Sequence, residues 1–138
     1  MKHIFRAATV VAFACIAQIA TSSIAYAFDT FPVCGESRVL NKIIHRYNWA
    51  ERNTWHDGVD LESIVRVRER RLRAGDDTSI ERRFCRGHAR LSDGRHRTVH
   101  YLIERGAGFA GLGWNVEFCV SGKDPWRVYD GSCRVLRR

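Results

Sequence analysis

The apolar positions of this chain follow a helical period first and a strand period afterwards. From residue 37 onward, apolar side chains recur at spacings of three and four residues, as on one face of an amphipathic helix. They are Val39, Leu40, Ile43, Ile44, Tyr47 and Ala50. Ser37 can cap the first turn, and Asp57-Gly58 is a strong turn signal. The pattern therefore predicts a helix over residues 37–52.

After residue 60 the apolar positions tend to alternate, which is typical of half-buried strands. Residues 64–72 also fit a helix, but the β-branched Ile64, Val65 and Val67 favour a strand. Ser92-Asp93-Gly94-Arg95 is the strongest hairpin turn in the sequence. Strands are predicted over residues 64–72, 80–91, 98–105, 114–120 and 126–136, the last interrupted at Asp130-Gly131.

One helix followed by consecutive antiparallel strands gives an α+β domain. We predict an N-terminal amphipathic helix packed on a four- to five-stranded antiparallel meander sheet. The sequence contains no internal repeat, linker or low-complexity segment. Residues 28–138 are therefore expected to form a single domain, which at this length can bury a hydrophobic core.

The N-terminal segment has the three parts of a secretory signal peptide: a basic start, an apolar stretch over residues 7–20 and small residues before a cleavage point. Ala25-Tyr26-Ala27 predicts cleavage after Ala27. A retained anchor is one alternative, but a membrane span needs about 20 apolar residues. Lipidation at Cys15 is another, and it would leave a very short apolar segment. We expect an exported protein that has lost residues 1–27 and keeps no membrane span.

Removal of the leader also removes Cys15 and leaves Cys34, Cys85, Cys119 and Cys133. An even number of cysteines in a small exported chain is typical of a disulfide framework. Four cysteines allow three pairings, among which the sequence cannot decide. We favour Cys119–Cys133 within a C-terminal hairpin and Cys34–Cys85 between the N-terminal segment and the sheet. No C-x-x-C pair or His/Cys cluster has ligand spacing, so no metal site is predicted.

The whole chain has 23 Lys and Arg residues, 15 Asp and Glu residues and a formal net charge of +8. Loss of Lys2 and Arg6 with the leader would lower this charge to +6, and most of the remaining basic residues are arginine. Arginine presents a planar fork that suits carboxylates and phosphates, so an arginine-rich face favours an anionic partner. The alternative is that most of these side chains are simply solvated.

The arginines form a candidate surface if the hairpin closes at Asp93-Gly94. In that register one sheet face would carry Arg82, Phe84, Arg86, His88 and Arg90 together with Val99, Tyr101, Ile103 and Arg105. Aromatic and arginine side chains on one face can stack on and clamp an anionic polymer. The predicted binding residues are Arg82, Arg86, Arg90, Tyr101 and Arg105.

Two considerations weigh against a nucleic-acid surface. The face could be solvated, with Glu69, Glu81 and Glu104 offsetting arginines across strands. The chain is also only moderately basic for a nucleic-acid-binding domain. We therefore expect an anionic envelope component or a protein as the partner, and not nucleic acid.

A small hydrolase of the ribonuclease type is the main competing function. The acid would be His100 or His88, the base Glu104 or Glu117, and the phosphate clamp Arg86 or Arg97. No motif links these residues, and a catalytic residue must show geometry before chemistry. A Ser-His-Asp hydrolase lacks the G-x-S-x-G turn. We favour a non-catalytic protein over an enzyme.

Residues 106–111 match G-x-G-x-x-G and follow a predicted strand. A dinucleotide site needs the last glycine to open a helix within a βαβ unit, whereas here another strand begins at Trp114. We predict a bent loop and no cofactor. An inhibitor of periplasmic enzymes could present the loop over residues 106–113, which gives a third candidate function.

Several stretches resemble a group of small exported alphaproteobacterial proteins of unknown function. They are residues 80–85 (IERRFC), 91–95 (LSDGR), 101–104 (YLIE), 108–111 (GFAG) and 116–120 (VEFCV). The resemblance implies a periplasmic setting and brings no activity or catalytic residues. The order of helix and meander is also similar to cystatin-like folds, many of which are binding or inhibitory modules, although a fold alone does not fix a function.

Overall fold

The computed structural model describes residues 30–74 and 80–137. The predicted signal peptide, its cleavage point and the alternative lipidation site at Cys15 lie outside the described residues. Within them, one helix precedes four strands: α1 (Ser37–Ala50), β1 (Leu61–Arg73), β2 (Arg82–Leu91), β3 (His96–Arg105) and β4 (Trp114–Val120). The strands pair antiparallel in the order β1-β2-β3-β4, and α1 packs on one sheet face. The predicted α+β meander is confirmed.

Helix α1 forms where the apolar stripe predicts it and buries Val39, Ile43 and Tyr47. The chain then continues through a π-helical turn, Glu51–Trp55. The predicted capping role of Ser37 is wrong, because the helix starts one residue earlier. The Glu36 carbonyl already accepts the first helical hydrogen bonds, and no side chain caps this end.

The sheet packs apolar side chains on both faces. On the side of α1, the helix stripe meets alternate residues of the strands, among them Cys85, Ala89, Val99, Tyr101, Ile103, Val116 and Val120. We call the opposite side the distal face. There Phe84, Leu102 and Cys119 pack with Cys133 and Leu136 of the C-terminal segment, residues 121–137. This segment covers one part of the distal face.

The predicted fifth strand over residues 126–136 is wrong. The C-terminal segment forms turns and a short 3-10 helix, Arg134–Leu136. Arg127, Asp130 and Cys133 have φ values of 54°, 64° and 56°, in the left-handed region, so their backbone cannot continue an extended strand. The four-stranded version of the predicted sheet is therefore the one that forms.

Two disulfides join the four cysteines in the favoured pairing. Cys34–Cys85 ties the segment before α1 to β2, with a Cα–Cα distance of 5.8 Å. Cys119–Cys133 ties β4 to the C-terminal segment, with a Cα–Cα distance of 5.6 Å, and is not part of a hairpin. Such bonds form and persist in oxidising compartments. The two cross-links fit a protein that works outside the reducing cytosol.

The described residues contain no helix that is both long enough and apolar enough to cross a membrane.

The register between β2 and β3 differs by one residue from the predicted one. Leu91 donates its N–H to the Arg95 carbonyl at 3.0 Å, which closes a three-residue loop whose last member, Gly94, has φ 80°. Arg86 therefore pairs with His100, and Cys85 pairs with Tyr101. Since neighbouring residues of a strand point to opposite faces, this shift exchanges which β3 side chains accompany the arginines of β2.

Candidate anion-binding site

Strand β1 places several arginines on the distal face because its pairing with β2 is irregular. Val65 lies opposite His88 and Arg68 lies opposite Arg86, so two residues of β1 share the single partner Gly87. This is a β-bulge, and Arg66 within it has φ 50° in the left-handed region. A second irregularity follows between Glu69 and Arg71.

Two adjoining cavities lie among these side chains. One, of about 330 Å³, is lined by Arg70, Arg86, Thr98, His100, Ser121 and Arg137. The other, of about 280 Å³, is lined by Arg66, Arg68, Arg70, Arg86 and His88. Because Arg70 and Arg86 line both cavities, we treat the two as one site and call it the arginine site.

Within the described residues, no carboxylate offsets the positive charge of the arginine site. No Asp or Glu of residues 30–74 or 80–137 lines either cavity. Elsewhere the described residues form many Arg–carboxylate pairs, yet none of those pairs involves an arginine of this site. Guanidinium groups gathered in this way repel one another, and a bound anion would remove that repulsion.

His100 lies between Arg86 on β2 and Cys119 on β4. Desolvation by burial, and then the charges of Arg137, Arg86 and Arg70, lower the pKa of His100 from 6.5 to about 4. The imidazole is therefore neutral at pH 7. A neutral imidazole can offer one N–H as a hydrogen-bond donor, and the Thr98 and Ser121 hydroxyls add two further O–H groups to the same cavity. All of these suit the oxygen atoms of an anion.

The predicted binding residues lie on two faces of the sheet: Arg82, Arg86 and Arg90 share the distal face as predicted, whereas Tyr101 and Arg105 lie on the side of α1. Arg86 alone lines the arginine site. Arg82 pairs with Glu104 at 2.7 Å, and Arg105 pairs with Glu81 at 2.6 Å. Arg90 lies on the distal face with its guanidinium 3.6 Å from Glu62.

The position of Tyr101 differs most clearly from the predicted one. It lies on the side of α1 and is fully buried, and its hydroxyl donates to the Cys34 carbonyl at 2.7 Å. Val99 and Ile103 belong to the same core, so the predicted mixture of arginines with these β3 residues is wrong. The one-residue difference in hairpin register is the reason.

The candidate catalytic residues of the alternative hydrolase function do not form one site either. His88 and His100 line different cavities of the arginine site. Glu104 is engaged by Arg82, and Glu117 lies opposite Leu102 and lines neither cavity. Arg97 pairs with Ala89 on the side of α1, away from His100. Among the described residues, no carboxylate that could act as a base lines the cavity of either histidine.

The glycine-rich loop forms no phosphate-binding turn. Residues 109–111 form a single 3-10 turn, and β4 follows directly at Trp114. Phe109 at its tip is 95% exposed. Within residues 30–74 and 80–137 no three His, Cys, Asp or Glu side chains are grouped so that they could hold a metal ion.

Sequence reasoning missed Arg66, Arg68, Arg70 and Arg137. The density of arginine in residues 64–73 was the available signal. Strict alternation along β1 would place Arg66, Arg68 and Arg70 on the same face as the buried Ile64, beside α1. The bulge between Val65 and Arg68 changes this alternation, so that Arg68 lies opposite Arg86 on the distal face. Arg137 arrives through the Cys119–Cys133 bond and the turns of the C-terminal segment.

Comparisons with family models, with curated proteins and with solved structures find no match to this chain.

Proposed function

We propose that this chain is an exported, non-catalytic binding module that captures an anionic ligand through the arginine site. The observation that carries the proposal is the uncompensated charge of that site. Five arginines, Arg66, Arg68, Arg70, Arg86 and Arg137, line two connected cavities, and no carboxylate of the described residues lines either one. A phosphate- or carboxylate-bearing component of the bacterial envelope has the matching chemistry.

Export is part of the same proposal. The two disulfides support it, since such cross-links persist in oxidising compartments. The pattern of residues 1–27 supports it independently, because a basic start, an apolar stretch and a small-residue cleavage point are the parts of a signal peptide. An envelope ligand would meet the protein in that setting.

The hydrolase alternative receives less support. A general acid must carry a proton at working pH, and the lowered pKa of His100 leaves its imidazole neutral at pH 7. Incubation of the protein with RNA gives a simple test of this alternative. We expect the RNA to stay intact, and cleavage that is lost in His100→Gln would contradict a non-catalytic function.

The binding proposal is tested by calorimetric titration of pyrophosphate into protein purified after export with its disulfides intact. The variant Arg70→Gln/Arg86→Gln removes the two guanidiniums common to both cavities. Hydrogen bonds to charged groups contribute about 1.5–3 kcal/mol each. We therefore expect this variant to lose affinity by more than tenfold.

The matched control is Arg90→Gln/Arg95→Gln, which removes the same net charge from exposed positions that line neither cavity. We expect it to bind pyrophosphate within about twofold of the unaltered protein, allowing for a weaker overall field. Equal losses in both variants would show attraction by net charge alone and would overturn the proposal. Capture from an envelope extract with the same pair of variants would then identify the natural ligand.

A further inference from the structure

A third cavity shares no lining residue with the arginine site. Its volume is about 560 Å³, which is within the ~300–1,000 Å³ typical of small-molecule sites. The end of α1, the π-helical turn, β4 and residues 123–129 enclose it. We call it the aromatic cavity.

Large apolar side chains dominate its wall: Trp49, Trp55, Phe118, Trp126, Val128 and Tyr129. Trp49 is 55% exposed, and Trp126 and Val128 are each 65% exposed. Single exposed apolar residues are ordinary on a protein surface, whereas a group of them around one concavity marks a place where an apolar partner binds.

The charged residues of the wall are almost all engaged. Lys123 pairs with Asp57 at 3.1 Å. The Asp124 carboxylate accepts the backbone N–H groups of Val128 and Tyr129, each at 2.9 Å. Lys123 therefore already has a carboxylate partner, and each oxygen of Asp124 already accepts one backbone N–H group.

Arg46 is different. One of its terminal nitrogens donates to the Val116 carbonyl at 2.6 Å, and its guanidinium lies 5.8 Å from the centroid of the Phe118 ring. These two contacts fix the group at the wall of the cavity. No ion pair of the described residues involves Arg46. A guanidinium has five N–H donors, so donors remain for an anion.

We propose that the aromatic cavity binds a single-chain amphiphile with one anionic head group, such as a medium-chain carboxylate. The apolar chain lies among the tryptophans and Val128, and the carboxylate pairs with Arg46. Charge complementarity selects an anionic head group, because Arg46 is the guanidinium in this wall that lacks a carboxylate partner among the described residues. The proposal is independent of the arginine site.

Decanoate, below the concentration at which it forms micelles, is a suitable probe. Three of the four tryptophans line the aromatic cavity, so intrinsic fluorescence reports its occupancy directly. We expect a saturable change in tryptophan emission when decanoate is added to the exported, disulfide-bonded protein. The absence of any saturable change would overturn the proposal.

Two pairs of variants test the position of the ligand. Val128→Glu places a charge in the apolar wall and should weaken decanoate binding at least tenfold. Its control, Val135→Glu, alters another exposed valine of the C-terminal segment that does not line the cavity, and should leave binding unchanged. Both sites are exposed enough for the protein to fold, which circular dichroism checks. Equal losses in the two variants would overturn the assignment of the site.

Arg46→Gln tests the head group, with Arg52→Gln as the control in the neighbouring helical turn. Loss of one charged hydrogen bond should lower the affinity for decanoate at least tenfold and leave that for the uncharged decanol unchanged. Equal effects on decanoate and decanol would contradict the role of Arg46. Analytical sedimentation tests whether a second copy of the chain fills the cavity instead. Self-association that Val128→Glu abolishes would assign the cavity to that second copy and overturn the ligand proposal.

Discussion

Two buried tyrosines differ in whether their hydroxyl groups form a hydrogen bond. Tyr101 and Tyr47 are both fully buried in the core between α1 and the sheet. The Tyr101 hydroxyl donates to the Cys34 carbonyl, whereas the Tyr47 hydroxyl has no hydrogen-bond partner among the described residues. Burial raises the pKa of both side chains, and for Tyr47 nearby carboxylates, Glu51 first among them, raise it further. Both phenols therefore stay neutral across the physiological range.

This contrast gives a prediction for stability. Tyr101→Phe removes the donor and leaves the buried Cys34 carbonyl unsatisfied, so the free energy of unfolding should fall by about 1–3 kcal/mol. Tyr47→Phe removes a hydroxyl that gains nothing in the folded state, and should be neutral or slightly stabilising. Chemical denaturation of both variants measures the difference. A Tyr47→Phe loss as large as that of Tyr101→Phe would contradict the hydrogen-bond assignment.

Residue chemistry was readable from the sequence only where it did not depend on register. The cysteine count and the export pattern predicted two disulfides, and these form in the pairing that we favoured although the sequence could not decide among three. The abundance of arginine led us to expect an anionic partner, which stays a prediction. The placement of Tyr101 was predicted wrongly because a one-residue shift in a hairpin turns every side chain of the strand to the other face. Nothing in the residues of the turn distinguished a three-residue loop from a two-residue one.

At the scale of elements, the helical stripe and the alternation in β4 were predicted because each has a strong and uninterrupted period. Strand β1 has no such period. Its two bulge regions break the alternation, and Arg66 adopts a left-handed conformation that sequence propensity disfavours in arginine. The site that results could not be predicted, since a bulge depends on which partner strand the chain meets.

The C-terminal segment is a second element that long-range contacts define. Its turns are held against the distal face by Cys119–Cys133 and by the packing of Leu136 on Phe84 and Leu102. Arg137 follows directly and lines the arginine site. The sequence pattern of residues 126–136 predicted a strand, but the positive φ values of Arg127, Asp130 and Cys133 exclude a fifth extended strand.

The two disulfides should therefore contribute differently to stability and to anion binding. Cys119→Ser/Cys133→Ser opens a link with a sequence separation of 14 residues, and Cys34→Ser/Cys85→Ser opens one with a separation of 51. The entropy of the unfolded chain predicts stability losses of about 3 and about 4 kcal/mol respectively. Denaturation under non-reducing conditions measures both.

Affinity for pyrophosphate should follow the opposite order. Release of the C-terminal segment frees Arg137 from the arginine site, so the Cys119/Cys133 variant should bind pyrophosphate about tenfold more weakly than the unaltered protein. The Cys34/Cys85 variant, measured where it remains folded, should bind normally. An unchanged affinity in the first variant would contradict the contribution of Arg137.

At the scale of the whole molecule, the arginines fall into two groups: those paired with carboxylates and those that line the arginine site. Carboxylates neutralise arginines at several positions of the sheet, as in Arg82–Glu104, Arg83–Glu69 and Arg105–Glu81. In the part of the chain that the structure describes, no carboxylate lines the arginine site on the distal face. The net charge of +8 could be read from the sequence, but its division into paired and unpaired groups depends on the fold.

The burial of His100 and the arginine charges around it also make the free energy of unfolding depend on pH. Because the pKa of His100 falls from 6.5 to about 4 on folding, the unfolded chain binds a proton more readily than the folded one. The contribution of His100 to the free energy of unfolding is fully present above pH 6.5 and is lost as the pH falls toward 4. A bound anion would offset the charges of Arg137, Arg86 and Arg70, so binding and protonation of His100 are coupled.

The most direct test of the arginine site is an NMR titration of the His100 imidazole between pH 7 and pH 3.5, with and without pyrophosphate. Without the ligand we expect a midpoint near pH 4. With pyrophosphate bound we expect the midpoint of His100 to rise, because the anion offsets the charges of the surrounding arginines. A His100 midpoint that pyrophosphate does not move would contradict the assignment of this cluster as an anion-binding site.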